Sequence, residues 1–416
     1  METHPSRRAF LGVLGTAALT GCSGGLKESS GGTGGTIRIG YVSPRTGALA
    51  VFGESDDYVV GTVREAVRKG LTVGGRSYPV EIVTKDTQSS AARAAEVAAE
   101  LIQRDAVDIV LCTSTPDTTN PVSDQCEAAG VPCLATICPW EIWAGGRGPF
   151  TYSYLYFVGS REETDVFAGL WRRLGGDHVV GGLWPNDVDG EVYRRFVTPK
   201  VKELGWRLAD SGAYADGSTD YSSIISAFVK SDVDILQATP IPPDWVTFWR
   251  QAHQNRFRPK MVCVAKAMLF PSVAATLGPL AEGIVSPVWW SPSFPYKSSL
   301  DGTSARDLAQ GYRTATGRQW TPPMGFNHGL FEIAVAALRA SGDPKDKKAV
   351  AAAIGRQKGE AVSGRYDFTA GPMKNVSQAP DLLGQWRANG SGGHDLVIVD
   401  NSLEPAIPLQ GDLRPL

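Results

Sequence analysis

The sequence predicts an α/β protein of two domains built on mostly parallel sheets. Three observations carry this. The 416 residues suit two domains at roughly 100–200 residues each. Short β-rich runs alternate with helical patterns through most of the chain, which is the order of parallel sheets covered by helices. The strand runs are apolar rather than alternating, as strands buried on both faces must be.

The elements follow in order. Thr36 to Val42 reads as the first strand, and Ser43-Pro44-Arg45-Thr46-Gly47 as the loop after it. Val59, Val63, Ala66 and Val67 recur at helical spacing, with Gly70 as the stop. A strand from Pro79 to Thr84 leads through Asp86-Thr87-Gln88-Ser89 to an Ala-rich helix, Ala91 to Arg104, whose Ala94, Val97, Ala98 and Leu101 share one face. Strand Val107 to Cys112, helix Thr118 to Ala129 and strand Val131 to Thr136 continue the alternation. Further on come strand Val179 to Trp184, helix Glu191 to Leu204, helix Ser222 to Lys230, strand Val233 to Ala238, helix Trp245 to Asn255 and strand Lys260 to Val264. In such sheets ligands sit beyond the carboxyl ends of the strands. The functional surface is therefore expected on loops 43–52, 113–118, 137–143, 185–190, 239–245 and 265–269.

Charge and motifs narrow the function. A net charge of −2 with no basic stripe gives nothing for nucleic acid to bind. No run of about 18 apolar residues occurs beyond the N-terminus. At the N-terminus, Arg7-Arg8 precedes the apolar run Ala9 to Thr20, which is too short to span a bilayer and reads as the core of a twin-arginine export signal. The run closes on Leu19-Thr20-Gly21-Cys22, which resembles a bacterial lipobox, so residues 1–22 are expected to be a signal peptide and Cys22 the acylated residue. The Gly/Ser-rich residues 23–35 then form a tether. Five cysteines remain: 112, 126, 133, 138 and 263. Cys126 and Cys133 flank a helix end and the next strand and are a candidate disulfide, against the alternative of small buried apolar residues. No zinc spacing, phosphate-binding loop, GxSxG or other nucleophile arrangement is present, and histidines 178, 253, 328 and 394 are scattered. Neither a metal, a cofactor nor an enzyme activity is expected.

The order and spacing of several segments resemble the leucine/isoleucine/valine-binding branch of type I periplasmic binding proteins. These are Ile37-Arg38-Ile39-Gly40, Thr46 to Gly53, Asp86 to Ser89, Val107 to Val110, Ser114-Thr115, Glu127 to Pro132 and Glu282-Gly283. The resemblance implies two doubly wound lobes joined by three hinge crossings, expected near Tyr156, Pro287 and Gly364. Lobe one is then 37–156 plus 288–364, and lobe two 157–287 plus 365–416. It implies a monomer that closes on a small-molecule ligand, partnered by the permease and ATPase subunits of an ABC importer and held at the outer face of the cytoplasmic membrane by its lipid. A ligand-sensing subunit for a membrane receptor is the alternative; an anchored α/β hydrolase fits less well.

By the same resemblance, Ser114, Thr115 and Thr136 would hold a ligand carboxylate, and Phe52 would form an aromatic wall. Amino-acid binders place an acid after the strand matching Met261 to Val264, to receive the ligand ammonium. This chain has Ala265-Lys266-Ala267 there. Either Asp189 takes that role or the ligand has no ammonium, since a lysine has no acceptor. Lys266 would then ask for an acceptor on the ligand. Tryptophans 140, 143, 184, 245, 249, 289 and 290 crowd the same loops, and Trp140 and Trp184 directly follow strands, which suggests a ligand with a planar part. Amino acids and related small organic acids or amides are the expected ligands.

Overall fold

The structure is a computed structural model that describes residues 34–145 and 147–416. The Cys22 motif and most of the tether lie outside these residues. Two lobes are present, each a layered α/β unit on its own sheet. The first sheet has six strands in the spatial order Val376–Gln378, Ser153–Phe157, Cys133–Thr136, Ile109–Thr113, Ile37–Ser43 and Val80–Asp86, all parallel. The second has seven: His394–Asp400, Leu383–Ala388, Val285–Pro287, Met261–Val264, Ile235–Ala238, Val179–Pro185 and Arg207–Tyr214. Its first two are antiparallel to their neighbours and the rest are parallel.

Helix Ala91–Gln103 shows how the covering layer docks. Ser90 accepts from the Arg93 N–H at its start, and Ala94, Val97, Ala98 and Leu101 are buried. Leu101 sits so close to the first strand that a Cβ on Gly40 would come within 2.9 Å of its methyl. A side chain at position 40 would have to displace Leu101. Helix Pro322–Ala340 is apolar nearly all round and is buried along most of its length, the state such a pattern requires. Within it, His328 and Glu332 are buried and lie 3.1 Å apart. Among the described residues no helix is long and apolar enough to cross a membrane.

The chain passes between the sheets after Phe157, after Pro287 and between Gln378 and Leu383. The third passage is thus not near Gly364. Gly364–Asp367 pairs with Lys358–Ala361 in a separate hairpin, and the chain returns to the first sheet through Val376–Gln378 before it leaves. A three-residue edge strand is too short to show a period, which is why the sequence does not reveal this return.

Candidate functional site

The loops at the carboxyl ends of the strands of both sheets face each other across the gap between the lobes. In lobe one, Asp86 accepts from the Arg45 N–H at 2.9 Å and from the Thr46 hydroxyl at 2.6 Å, which folds back the loop after the first strand. The short 3-10 turn Ala50–Gly53 then presents Phe52. Its ring meets Phe270 of lobe two edge-on, with centroids 4.8 Å apart. Two neighbouring strands end in residues with left-handed backbone, Ser114 at φ 51° and Ile137 at φ 52°. For a β-branched residue such as Ile137 this is an outlier, and strain of this kind concentrates at functional sites.

Lobe two supplies the charge. Asp187 caps helix Val188–Glu203, its Oδ1 accepting from the Gly190 N–H at 2.7 Å. Lys266, directly beyond strand Met261–Val264, is only 7% exposed. Its Nζ donates to Asp187 Oδ2 and to Asp189 Oδ2, each at 2.7 Å. Burial alone would lower the Lys266 pKa, but the charges and hydrogen bonds of the two carboxylates outweigh it and hold the value above the ordinary range. Asp189 is pushed up to about 6 by burial, with the Lys266 charge opposing and the Asp187 charge reinforcing the shift. At 2.7 Å from each carboxylate, Lys266 bridges the two aspartates.

Between the lobes, Phe52, Thr115, Pro116, Ile137 and Pro139 of lobe one oppose Asp189, Tyr193, Thr239, Ala265 and Lys266 of lobe two, with Phe157 and Trp289 from the crossings as the floor. They enclose about 20 Å³, roughly the room of one water. The Thr239 hydroxyl on this wall is buried and has no hydrogen-bond partner among the described residues. Beneath the floor lies a second polar group. Glu163, in the first turn of helix Ser160–Arg172, adjoins Tyr193, Trp289 and Asp381. Burial raises the Glu163 pKa to about 8, and burial together with the Glu163 charge holds Asp381 well above its ordinary value.

The residues expected from sequence divide. Phe52, Thr115, Asp189 and Lys266 line one cavity. Ser114 and Thr136 are buried outside its wall. The Ser114 hydroxyl lies 2.9 Å from that of Thr113, and the Thr136 hydroxyl donates to the Tyr156 carbonyl at 2.7 Å. Trp140 lines an outer groove with Glu141, Arg161 and Asp165 instead. Trp184 is fully buried, its indole lying across Gly182, where a Cβ would come within 2.4 Å of Nε1. Trp245 and Trp249 stack on each other in the core at 5.2 Å. Trp289 alone of the seven tryptophans reaches the cavity. Lys266 already has acceptors within the chain, because Asp187 and Asp189 both pair with it. The proposed Cys126–Cys133 bridge is absent: all five described cysteines are free and buried, and Cys133 lies 3.8 Å from Cys112, sulfur to sulfur. Cys112, Cys126 and Cys133 fill the interface of helix Pro116–Ala129 with the first sheet, and Cys263 packs against Trp171 in lobe two, as small apolar side chains do. Sequence reading passed over Asp187, Thr239, Tyr193 and Phe157; the first two sit on strand-end loops and were within reach of the same rule.

Comparison with known proteins agrees with this architecture. No curated protein matches the sequence. A leucine-binding protein, LivK, of Thermotoga maritima superposes with a TM-score of 0.75 at 19% identity, over 88% of this chain and 99% of its own. An ABC-transporter solute-binding protein of Rhodopseudomonas palustris, solved with 3,4-dihydroxybenzoic acid, gives 0.72 at 16% identity over 88% and 96%. The branched-chain amino acid transporter substrate-binding protein LivJ of Streptococcus pneumoniae, solved with isoleucine, gives 0.71 at 15% identity over 88% and 100%. At these identities the likeness speaks for the fold of two facing lobes. The periplasmic binding protein family model matches residues 36–390, and with most of the chain inside that match, this protein belongs to the periplasmic binding protein family.

Proposed function

We infer that the protein is the extracytoplasmic substrate-binding component of an ABC importer, anchored through Cys22, and that it captures a small polar solute between its lobes. The observation that carries the reading is the shared cavity, with an apolar wall from lobe one and the Asp187–Lys266–Asp189 group from lobe two. Small-molecule sites combine a mostly apolar lining with a few placed polar groups in this way. The wall of Phe52, Phe157 and Trp289 supports a ligand with an apolar or planar part, among amino acids and related organic acids or amides. The solved relatives hold an amino acid in one case and an aromatic acid in another.

Ligand pockets run to roughly 300–1,000 Å³, so the lobes must part to admit a solute to a cavity of about 20 Å³. A thermal-shift screen of the 36–416 domain against amino acids, aromatic acids, amides, polyamines and sugars tests the reading, because a ligand that binds only the native state raises its apparent stability. A hit should also change the radius of gyration in solution scattering, since hinge closure accompanies capture in such folds. No hit across these classes would count against it.

A further inference from the structure

The passages between the lobes bring two buried carboxyl groups together. Glu163 stands in the first turn of helix Ser160–Arg172, just after the first passage, and Asp381 lies within the third, between Gln378 and Leu383. The two adjoin each other and are 1% and 0% exposed. Glu163 Oε1 and both Asp381 carboxyl oxygens lack a hydrogen-bond partner among the described residues. Neighbouring Glu162 differs, because Gln378 donates to it. The groups that face the pair are Glu162 on the same helix, Tyr193 and Asp189 on helix Val188–Glu203, and Trp289 beyond the second passage. None of these is a cation, and Lys266 is taken up by Asp187 and Asp189. Burial and like charge both favour the protonated form of a carboxyl in such a place. Tyr193 and Trp289 also line the cavity between the lobes, so they stand between the pair and the cleft.

We propose that Glu163 and Asp381 form a proton latch: the pair takes up a proton from solvent when the lobes close and returns it when they part, so that the cleft closes more readily in acid than in alkali. This deepens the solute-binding reading by naming a regulation of its cleft. Water that enters an opened cleft reaches the pair past Tyr193 and Trp289, and each hydrated carboxyl can then ionise near its ordinary value. Closure strips that water away. A proton bound to one carboxyl oxygen removes a buried charge and supplies a donor to the oxygens that have none. The sign follows from linkage. A carboxyl whose pKa is higher in the closed state favours closure below the open-state value, and the advantage is lost as pH rises through the closed-state one. Glu163 goes from an ordinary 4.5 to about 8 when buried. Between these values the closed-to-open ratio should fall about tenfold per pH unit for each proton released.

Solution scattering of the full chain without ligand, at pH 5, 6, 7 and 8, tests the latch. The wild-type radius of gyration should grow as pH rises, with the far-ultraviolet circular dichroism unchanged. Glu163→Gln combined with Asp381→Asn should open less over the same range. Glu54 and Asp216 are also raised by burial and titrate alike in both proteins, so the difference belongs to the pair. A wild-type radius that does not change with pH overturns the latch, and so does a double variant whose radius follows the wild type. Should the double variant fail to fold, Tyr193→Phe serves in its place. Tyr193 lowers the Glu163 pKa as a hydrogen-bond donor, so its loss should move the opening to higher pH. An unmoved or lower midpoint overturns the proposal. No arm uses a solute, so a thermal-shift screen without hits would count against solute capture and leave the latch standing, whereas clear hits with a pH-independent radius would do the reverse.

Discussion

Glu163→Gln isolates the buried acid group under the cleft floor. Glu163 follows the first crossing, Trp289 belongs to the second and Asp381 to the third, so the three passages between lobes meet around these carboxyls. The groups that face Glu163 are Tyr193, Asp189, Asp381 and Trp289, none of them a cation. Burial is the main cause that lifts Glu163 from 4.5 to about 8. The sign follows from linkage. A carboxyl whose pKa is raised on folding contributes stability that is fully present below the unfolded value and is lost as pH rises through the folded one. At about 1.4 kcal/mol per pKa unit, the wild type should lose about 3–5 kcal/mol from this group between pH near 4.5 and pH above 8. Glutamine keeps the shape and cannot ionise, so the variant should lose less. Urea midpoints at pH 5, 6.5 and 8.5 check this. Glu163→Gln should gain on the wild type as pH rises, even if it is the weaker protein at pH 5. Asp56 at about 6 and Glu54 at about 7 slope the same way in both proteins, so the difference between the two profiles reports Glu163 together with Asp381, which its charge perturbs. Parallel profiles would refute a protonated Glu163 at neutral pH.

Three further outcomes are expected. Gly190→Ala should lower the melting temperature and weaken binding of any ligand found for the cleft, because a Cβ there would lie 2.0 Å from the Pro185 carbonyl oxygen and displace the turn that presents Asp187 and Asp189; calorimetry and melting curves check both. Thiol titration of the 36–416 domain should count five thiols after denaturation without reductant and almost none before, as all five cysteines are free and buried; a count of three would restore a disulfide. Cys22→Ala should move the full chain from the membrane to the soluble fraction, since stable attachment needs more than one acyl chain on the terminal residue; fractionation and immunoblotting decide it.

Much of the fold was legible because parallel strands announce themselves as short apolar runs at regular spacing. Ala94, Val97, Ala98 and Leu101 face the core as their period requires. The strand-end rule named the loops that carry Phe52, Thr115, Asp189, Thr239 and Lys266. The third crossing escaped because the strand that returns to the first sheet, Val376–Gln378, has three residues and shows no period. Trp184 misled for a different reason. A residue at a strand end can point to the cleft or back into the sheet, and Gly182 leaves the space that draws the indole inward. The tryptophans are a poor guide here because composition records how many large rings there are and not which side they fill.

Lys266 shows where residue types stop and pairing begins. Its oddity was readable, because a lysine stands where an amino-acid binder needs an acid. Its partners were not, because Asp187 is separated from it by 79 residues and charge alone does not say which acid folds against which base. The pairing changes the argument about the ligand. An unpaired buried lysine asks the ligand for a negative charge, whereas a lysine held by two aspartates asks only for an acceptor. All three charged groups belong to lobe two, on helix Val188–Glu203, its cap and the loop after strand Met261–Val264. They therefore keep their geometry when the lobes separate, while Phe52, Thr115 and Ile137 arrive with lobe one. Under the proposed solute-binding function, the polar end of a ligand would then meet a preformed surface of lobe two, and closure would add the apolar wall and exclude water.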